Sequence, residues 1–474
     1  MSIELNIEGT NDAWLQSLVD ERSAIDPNQV KDDLWVRVPR VPSEFRAMKE
    51  NTDCYDPLIV SIGPYHHGKG NLQKMEKLKA KMAGQFLSHS REAGEEMYSE
   101  VKVLVSDNYA RKSYAEESTS QFDDEKFAQM MFLDGFFILQ VLFNNLPKNI
   151  LRKEEVTSIT RDLFLLENQL PFQVLLRLMR IYVTSGHHSA VEDRTSSKQK
   201  LDRSIDRELV KTMEEFFKTI HEIPLHRESC WEKISNFSKL PRALILRFKS
   251  KDTNYSLYQY NHLLEIFYLK FLCGGRQNPL ERFSNREITS WNRYYSVKEL
   301  KDVGISCVPN HTAVFVDVNF RNTILGGALC IPPLNIEVST KSLLLNLAAY
   351  EACSFFFFAT CTSYICFMRS LIDKSEDVKE LRSKGILRTT MGSDDQIAQI
   401  FKEMTTNLVP DSFAYRDVKN SVESHYRNTV KRWILHYNDP ISKAVVKYSF
   451  IFGIAVSAFQ AYLAQTKPRP CSCP

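Results

Sequence analysis

The chain has 474 residues, 43% hydrophobic and 25% charged, an ordinary globular composition that excludes wholesale disorder and leaves ample length for a large core. A formal net charge of +3 supplies no basic field able to displace counterions from a nucleic-acid backbone, so no DNA or RNA partner is expected. The ten cysteines show no paired spacings, which argues against a disulfide framework or a zinc cage and leaves them as small buried hydrophobes.

Residues 1–30 are polar and acidic, without the basic start and apolar run of a secretory signal, and predict a chain that stays in the cytosol. Leu34, Trp35, Val36, Val38 and Val41, interrupted by Pro39 and Pro42, read as an extended entry segment. The run from Leu58 to Gly68 begins with β-branched residues and ends on Gly and Pro, predicting a short buried extended stretch that closes in a turn. Leu72, Met75, Leu78, Met82 and Phe86 then recur at spacings of three and four, an amphipathic helix.

Residues 127–143 are apolar nearly all round, as in a buried helix. The helical pattern continues over 162–182, where Pro171 should start a new helix instead of sitting inside one. Residues 186–204 are polar without period and predict a disordered loop. Helical patterns resume over 206–220 and 258–271.

Between 304 and 338, short β-branched groups split by Asn310, Asn319, Gly326, Gly327 and Pro332-Pro333 predict a small β hairpin or sheet packed on helices. Residues 343–368 predict a pair of buried helices and not a membrane span, because Glu351 in hydrocarbon would cost about 2.5–3.5 kcal/mol. A capped helix opens at Ser393 or Asp394, and a last region runs to Ala464. The fold class is therefore mainly α: a large helical domain over 31–440 with a small β element around 304–338, a C-terminal apolar helix within 441–466, and a short tail, 467–474.

From Tyr448 to Ala464 only Ser449, Ser457 and Gln460 are clearly polar, roughly 17 residues at the lower edge of spanning length. Tyr448 and Tyr462 suit the headgroup level, and Lys447 can snorkel. Lys431, Arg432, Lys443 and Lys447 precede the segment against Lys467 and Arg469 after it, predicting a single-pass C-terminal anchor with the large domain cytosolic; a soluble cytoplasmic protein is the alternative. The sequons at Asn236, Asn254 and Asn310 would be glycosylated only in a lumenal domain. Ser449, Gly453, Ser457 and Ala461 recur every four residues, a stripe that serves either a homodimer in the bilayer or packing on the domain's own body.

For chemistry, His66 and His67 are the most tempting pair, yet neighbours in an extended segment face opposite ways, so joint metal ligation is not expected. His221-Glu222 with His226 has one residue too many for a zincin motif, and Pro224 interrupts it. Phosphate loops, dinucleotide fingerprints and nucleophile elbows are absent, so no cofactor or metal is expected. Asp134, Glu167 and Glu351 are single acids in apolar helical patterns. Each needs a partner at a helix terminus, an Arg or a Lys, unless two of them meet in a cleft as acid and base.

Val38-Pro39, Val60 to Gly68 with Leu72, Met75 and Glu76, Leu133-Asp134-Gly135-Phe136-Phe137-Ile138, and Asp162-Leu163 followed by Leu165 to Phe172 resemble a plant family, the domain of unknown function 247, or uncharacterised protein family 0481. Glu299-Leu300 with Gly304, Asn346-Leu347 with Ala349-Tyr350-Glu351, Thr362 to Met368 and Gly392-Ser393-Asp394 extend the resemblance in the same order. It implies a plant protein of helical fold with a hydrophobic C-terminal segment and, in most members, no assigned activity; grass members resemble pollen-side determinants of self-incompatibility. The expected function is membrane-associated binding or recognition of a protein partner or small ligand. The alternative is an enzyme of unknown class, in plant specialised metabolism, whose acid/base residues His66, His67, Asp134 and Glu167 converge on one concave pocket.

Overall fold

In the computed structural model, residues 37–147, 149–187, 205, 209, 211–213, 215–217, 260–269, 295–310, 314–323, 326–353, 359–389, 392–411, 414–438, 448–449 and 451–460 are described. Outside them lie residues 188–204 of the expected loop, the His221-Glu222 and His226 pattern, Asn236, Asn254 and Ala461.

Helical spacing turns into packing first in the amino-terminal half. Helix α1 (Gln73–His89) buries Met75, Leu78, Met82 and Ala83 along one face. Helix α2 (Arg91–Ser106) does the same with Met97, Val101, Leu104 and Val105. Helix α3 (Asp124–Leu142) opens on Asp123, whose side chain accepts the Lys126 N–H, and is buried nearly all round. Helices α4 (Lys153–Asp162) and α5 (Phe172–Tyr182) replace the longer helical pattern read over 162–182. Residues 163–171 form turns between them, and Pro171 stands immediately before the first residue of α5, where its missing N–H is harmless. Helices α1, α2, α3 and α5 pack on one another as a cluster.

The carboxy-terminal half adds α6 (Leu263–Phe267) and α7 (Val297–Asp302), the latter opened by a Ser296/Glu299 capping box. A three-stranded sheet has the order β1-β3-β2, with β1 Ile305–Pro309, β2 Asn319–Thr323 and β3 Gly326–Ile331. Strands β2 and β3 are the antiparallel hairpin, Thr323 facing Gly326, while β1 runs parallel to β3 with Ile305 facing Gly327. A second, two-stranded parallel sheet pairs β4 (Leu334–Ile336) with β5 (Leu387–Thr389).

The helices α8 (Thr340–Cys353) and α9 (Thr360–Leu371) are the expected buried pair; α11 (Asp394–Met404) packs against them, and α10 (Ser375–Ser383) packs on α11, α7 and β5. Ser393 caps α11 by accepting the Gln396 N–H. Helix α12 (Arg416–Asn438) lies on β2 and β3 through its early turns, where Val418 and Val422 are buried. One continuous hydrophobic cluster runs from Val38 to Val422, so both halves share a core.

Candidate functional site

The extended run 58–63 has no strand beside it among the described residues, yet Val60, Ser61, Ile62 and Gly63 are all buried. Buried backbone N–H groups must find acceptors, and here side chains supply them. Asp162, at the end of α4, accepts from Leu58 N at 3.0 Å, Ile59 N at 2.9 Å and Val60 N at 3.1 Å. Asn168 accepts from Ile62 N at 2.7 Å and donates back to Val60 O at 3.0 Å. Asp134, from the middle of α3, accepts from Gly63 N at 2.8 Å. Gly63 has φ +71°, and a Cβ there would come within 2.8 Å of the Tyr114 hydroxyl and 3.0 Å of Gln169 O, so the turn admits only glycine.

Asp134 also meets Lys79 of α1 at 2.5 Å, and the same ammonium reaches Glu76 at 2.6 Å and the carbonyl of Ser61. The Lys79 side chain is fully buried, so this is an interior ion pair that breaks expensively if either partner is removed. Burial pushes the Asp134 carboxyl up, while Lys79 pulls it down.

Glu167 works on the neighbouring entry segment. It accepts from Val41 N at 2.7 Å and from Arg46 Nη2 at 2.7 Å. His66, 2% exposed, places Nε2 3.7 Å from Glu167 and Nδ1 2.8 Å from the Lys69 ammonium, near Asp56. Burial, reinforced by Lys69, lowers the His66 imidazole to about 4. The ring is neutral at pH 7, Nδ1 accepts from Lys69, and the proton sits on Nε2, which has no hydrogen-bond partner among the described residues. His67 faces outward, exposed, edge-on to Phe122 at 5.6 Å.

A family model described as a plant protein of unknown function, DUF247, matches residues 38–458. The chain belongs to that family. It is similar to UPF0481 protein At3g47200 of Arabidopsis thaliana, 30% identical over 424 residues that cover 84% of this chain and 76% of the relative. It is also similar to UPF0481 protein At3g02645 of the same plant, 22% identical over 466 residues, covering 85% of this chain and 84% of the relative. No solved structure matches it.

In this DUF247 chain the four residues named for acid/base work are divided. His66 and Glu167 come together, Asp134 belongs to the separate cluster around Lys79, and His67 turns to the surface. An open cleft of about 920 Å³ lies elsewhere, between the starts of α7 and α10 and the end of α9, lined by Lys298, Arg369, Asp373 and Lys374 among others; none of the four lines it. Among the described residues no group of three His, Cys, Asp or Glu side chains is close enough to hold a metal ion. The sequence reading missed Lys79 and Arg46. Their signal is slight: a lysine three residues after Glu76 on the otherwise apolar face of α1, and an arginine in a one-turn helix, Ser43–Arg46.

The third acid, Glu351, accepts four hydrogen bonds at the start of α9. The sequon at Asn310 is engaged as well: its side-chain amide donates to Asp317 O at 2.5 Å.

Residues 448–449 and 451–460 are helical, and every described side chain in them is exposed. Tyr448, Ile451, Phe452, Ile454, Val456 and Phe459 all stand in solvent, Phe452 70% exposed. Ser449, Gly453 and Ser457 of the small-residue stripe are exposed too, and a Cβ added at Gly453 would meet nothing within 4 Å. Among the described residues no helix is long and apolar enough to cross a membrane.

Proposed function

We propose that this DUF247 protein is a membrane-associated recognition protein whose helical body acts by binding a partner and is held to a bilayer by its C-terminal apolar helix. The observation that carries the reading is the exposure of Tyr448, Ile451, Phe452, Ile454, Val456 and Phe459 on one short helix. A contiguous apolar surface of this kind has a partner in the working state, and a bilayer accepts an amphipathic or apolar helix without a shaped groove. The large domain stays cytosolic in this reading, because the basic residues Lys431, Arg432, Lys443 and Lys447 precede the segment.

Support for recognition over catalysis comes from what the motif residues do. Asp134, Asp162, Glu167 and Asn168 hold backbone, and His66 is a buried neutral ring, so none is presented to a substrate. The self-incompatibility role that the resemblance implies for grass members is one form such recognition takes. Ser449, Gly453 and Ser457 are the face through which two such helices would pair in the bilayer.

The full chain should float with phosphatidylcholine/phosphatidylserine vesicles on a density gradient, and a chain ending at residue 440 should stay at the bottom. Equal behaviour of the two removes the membrane from the reading.

A further inference from the structure

The exposed apolar helix lies in a stretch of chain whose charge is almost all of one sign. Arg427, in α12, pairs with Glu423 at 2.5 Å. Beyond it, residues 428–474 hold six basic residues, Lys431, Arg432, Lys443, Lys447, Lys467 and Arg469, against one acid, Asp439, a net of +5. The whole chain carries only +3, so residues 1–427 are net −2. The last tenth of the chain thus holds the molecule's excess positive charge.

That charge brackets the apolar residues. Lys443 and Lys447 stand five and one positions before Tyr448, and Lys467 and Arg469 seven and nine positions after Gln460. Between them every described side chain is exposed, Ile451, Phe452, Ile454, Val456 and Phe459 included. An apolar helix with Lys and Arg at both ends has two separable sources of affinity for a bilayer. Burial of the apolar side chains favours a lipid surface whatever its headgroups, whereas the basic residues favour a surface of negative potential. A nucleic acid would use the charges and leave Phe452 and Phe459 in water, so the two features together select a lipid surface.

We propose that Lys443, Lys447, Lys467 and Arg469 make this protein selective for bilayers of anionic lipid. The apolar helix supplies affinity that does not depend on headgroup, and the charges supply the choice of membrane. The inference rests on the membrane reading above and adds to it the class of lipid. Each Lys or Arg at a negatively charged membrane surface strengthens binding about fivefold, so four together give well over tenfold. A body of net −2 is repelled by the same surface, which leaves the basic end as the contact.

The test is flotation of the full chain with vesicles of phosphatidylcholine alone and of phosphatidylcholine with about 30% phosphatidylserine, read as the lipid concentration that floats half the protein. In about 0.1 M KCl that concentration should be at least about tenfold lower with phosphatidylserine. In about 1 M KCl, where the screening length falls from about 10 Å to about 3 Å, the difference should shrink below about threefold. Lys443→Gln, Lys447→Gln, Lys467→Gln and Arg469→Gln combined should remove the difference and leave the value on phosphatidylcholine alone within about twofold. The wild-type salt series decides the matter by itself if that variant does not fold. Equal wild-type values on the two vesicles, a preference that salt does not reduce, or one that survives the four substitutions overturns the proposal and leaves the membrane reading standing. No flotation with either vesicle removes both.

Discussion

At the scale of single residues, the acids do the work of strand neighbours. Asp162 takes three successive backbone N–H groups of a segment that has no sheet to join. Asp162→Ala would leave all three without an acceptor, at about 1–3 kcal/mol each, so a loss of about 3 kcal/mol or more is expected as a lower urea midpoint. An unchanged midpoint would show that the segment 58–60 is held by packing alone. The histidines set the acid limb of stability. His66, at about 4, and His262, at about 3, both lie below the ordinary 6.5, so the unfolded chain binds more protons than the native one between those values. Their contribution is complete above pH 6.5 and is lost as pH falls towards 4. Glu351, at about 7 against 4.5, has the opposite sign: its contribution is complete below 4.5 and is lost as pH rises through 7. The melting temperature should therefore rise between pH 5 and 6.5 in the wild type, less steeply in His66→Gln and more steeply in Glu351→Gln. Thermal scans across that range check both signs.

At the scale of elements, the β region depends on one close approach. Gly327 N donates to Gly304 O at 2.9 Å, and a Cβ on Gly326 would sit 2.1 Å from that same carbonyl oxygen. Gly326→Ala must push β3 away from the end of α7, with an expected loss of about 1–3 kcal/mol by chemical denaturation and earlier amide exchange in β1 and β3. A neutral outcome would mean that the hairpin shifts freely. The same region shows what a sequence can and cannot disclose. The hairpin β2–β3 was legible because β-branched runs alternate with Gly and Asn, whereas β5 has three residues, too few for any period, and pairs with a strand some fifty positions earlier. The helices of 73–89 and 124–142 were legible from apolar spacing and those of 340–371 from their buried acid. The turns at 163–171 were not, because Leu163 to Leu170 is as apolar as a helix would be and the decisive groups, Asn168 and Gln169, accept from the distant backbone N–H groups of Ile62 and Leu264.

At the scale of the whole molecule, a single core unites both halves, and the motif residues shared with the family resemblance mostly lie inside it. Of the candidate site, the acid/base character of His66 and Glu167 was legible from residue type, but residue type does not disclose that one is a buried neutral ring and the other a backbone acceptor. The apolar helical residues 448–449 and 451–460 are different in kind, since their hydrophobic side chains touch no core among the described residues. The double substitution Phe452→Asp with Phe459→Asp tests that assignment most directly, by vesicle flotation with a melting curve on the same preparation. Flotation should be lost while the melting temperature stays within about a degree, as for substitutions at exposed positions. Continued flotation, or a melting temperature lower by several degrees, would contradict it.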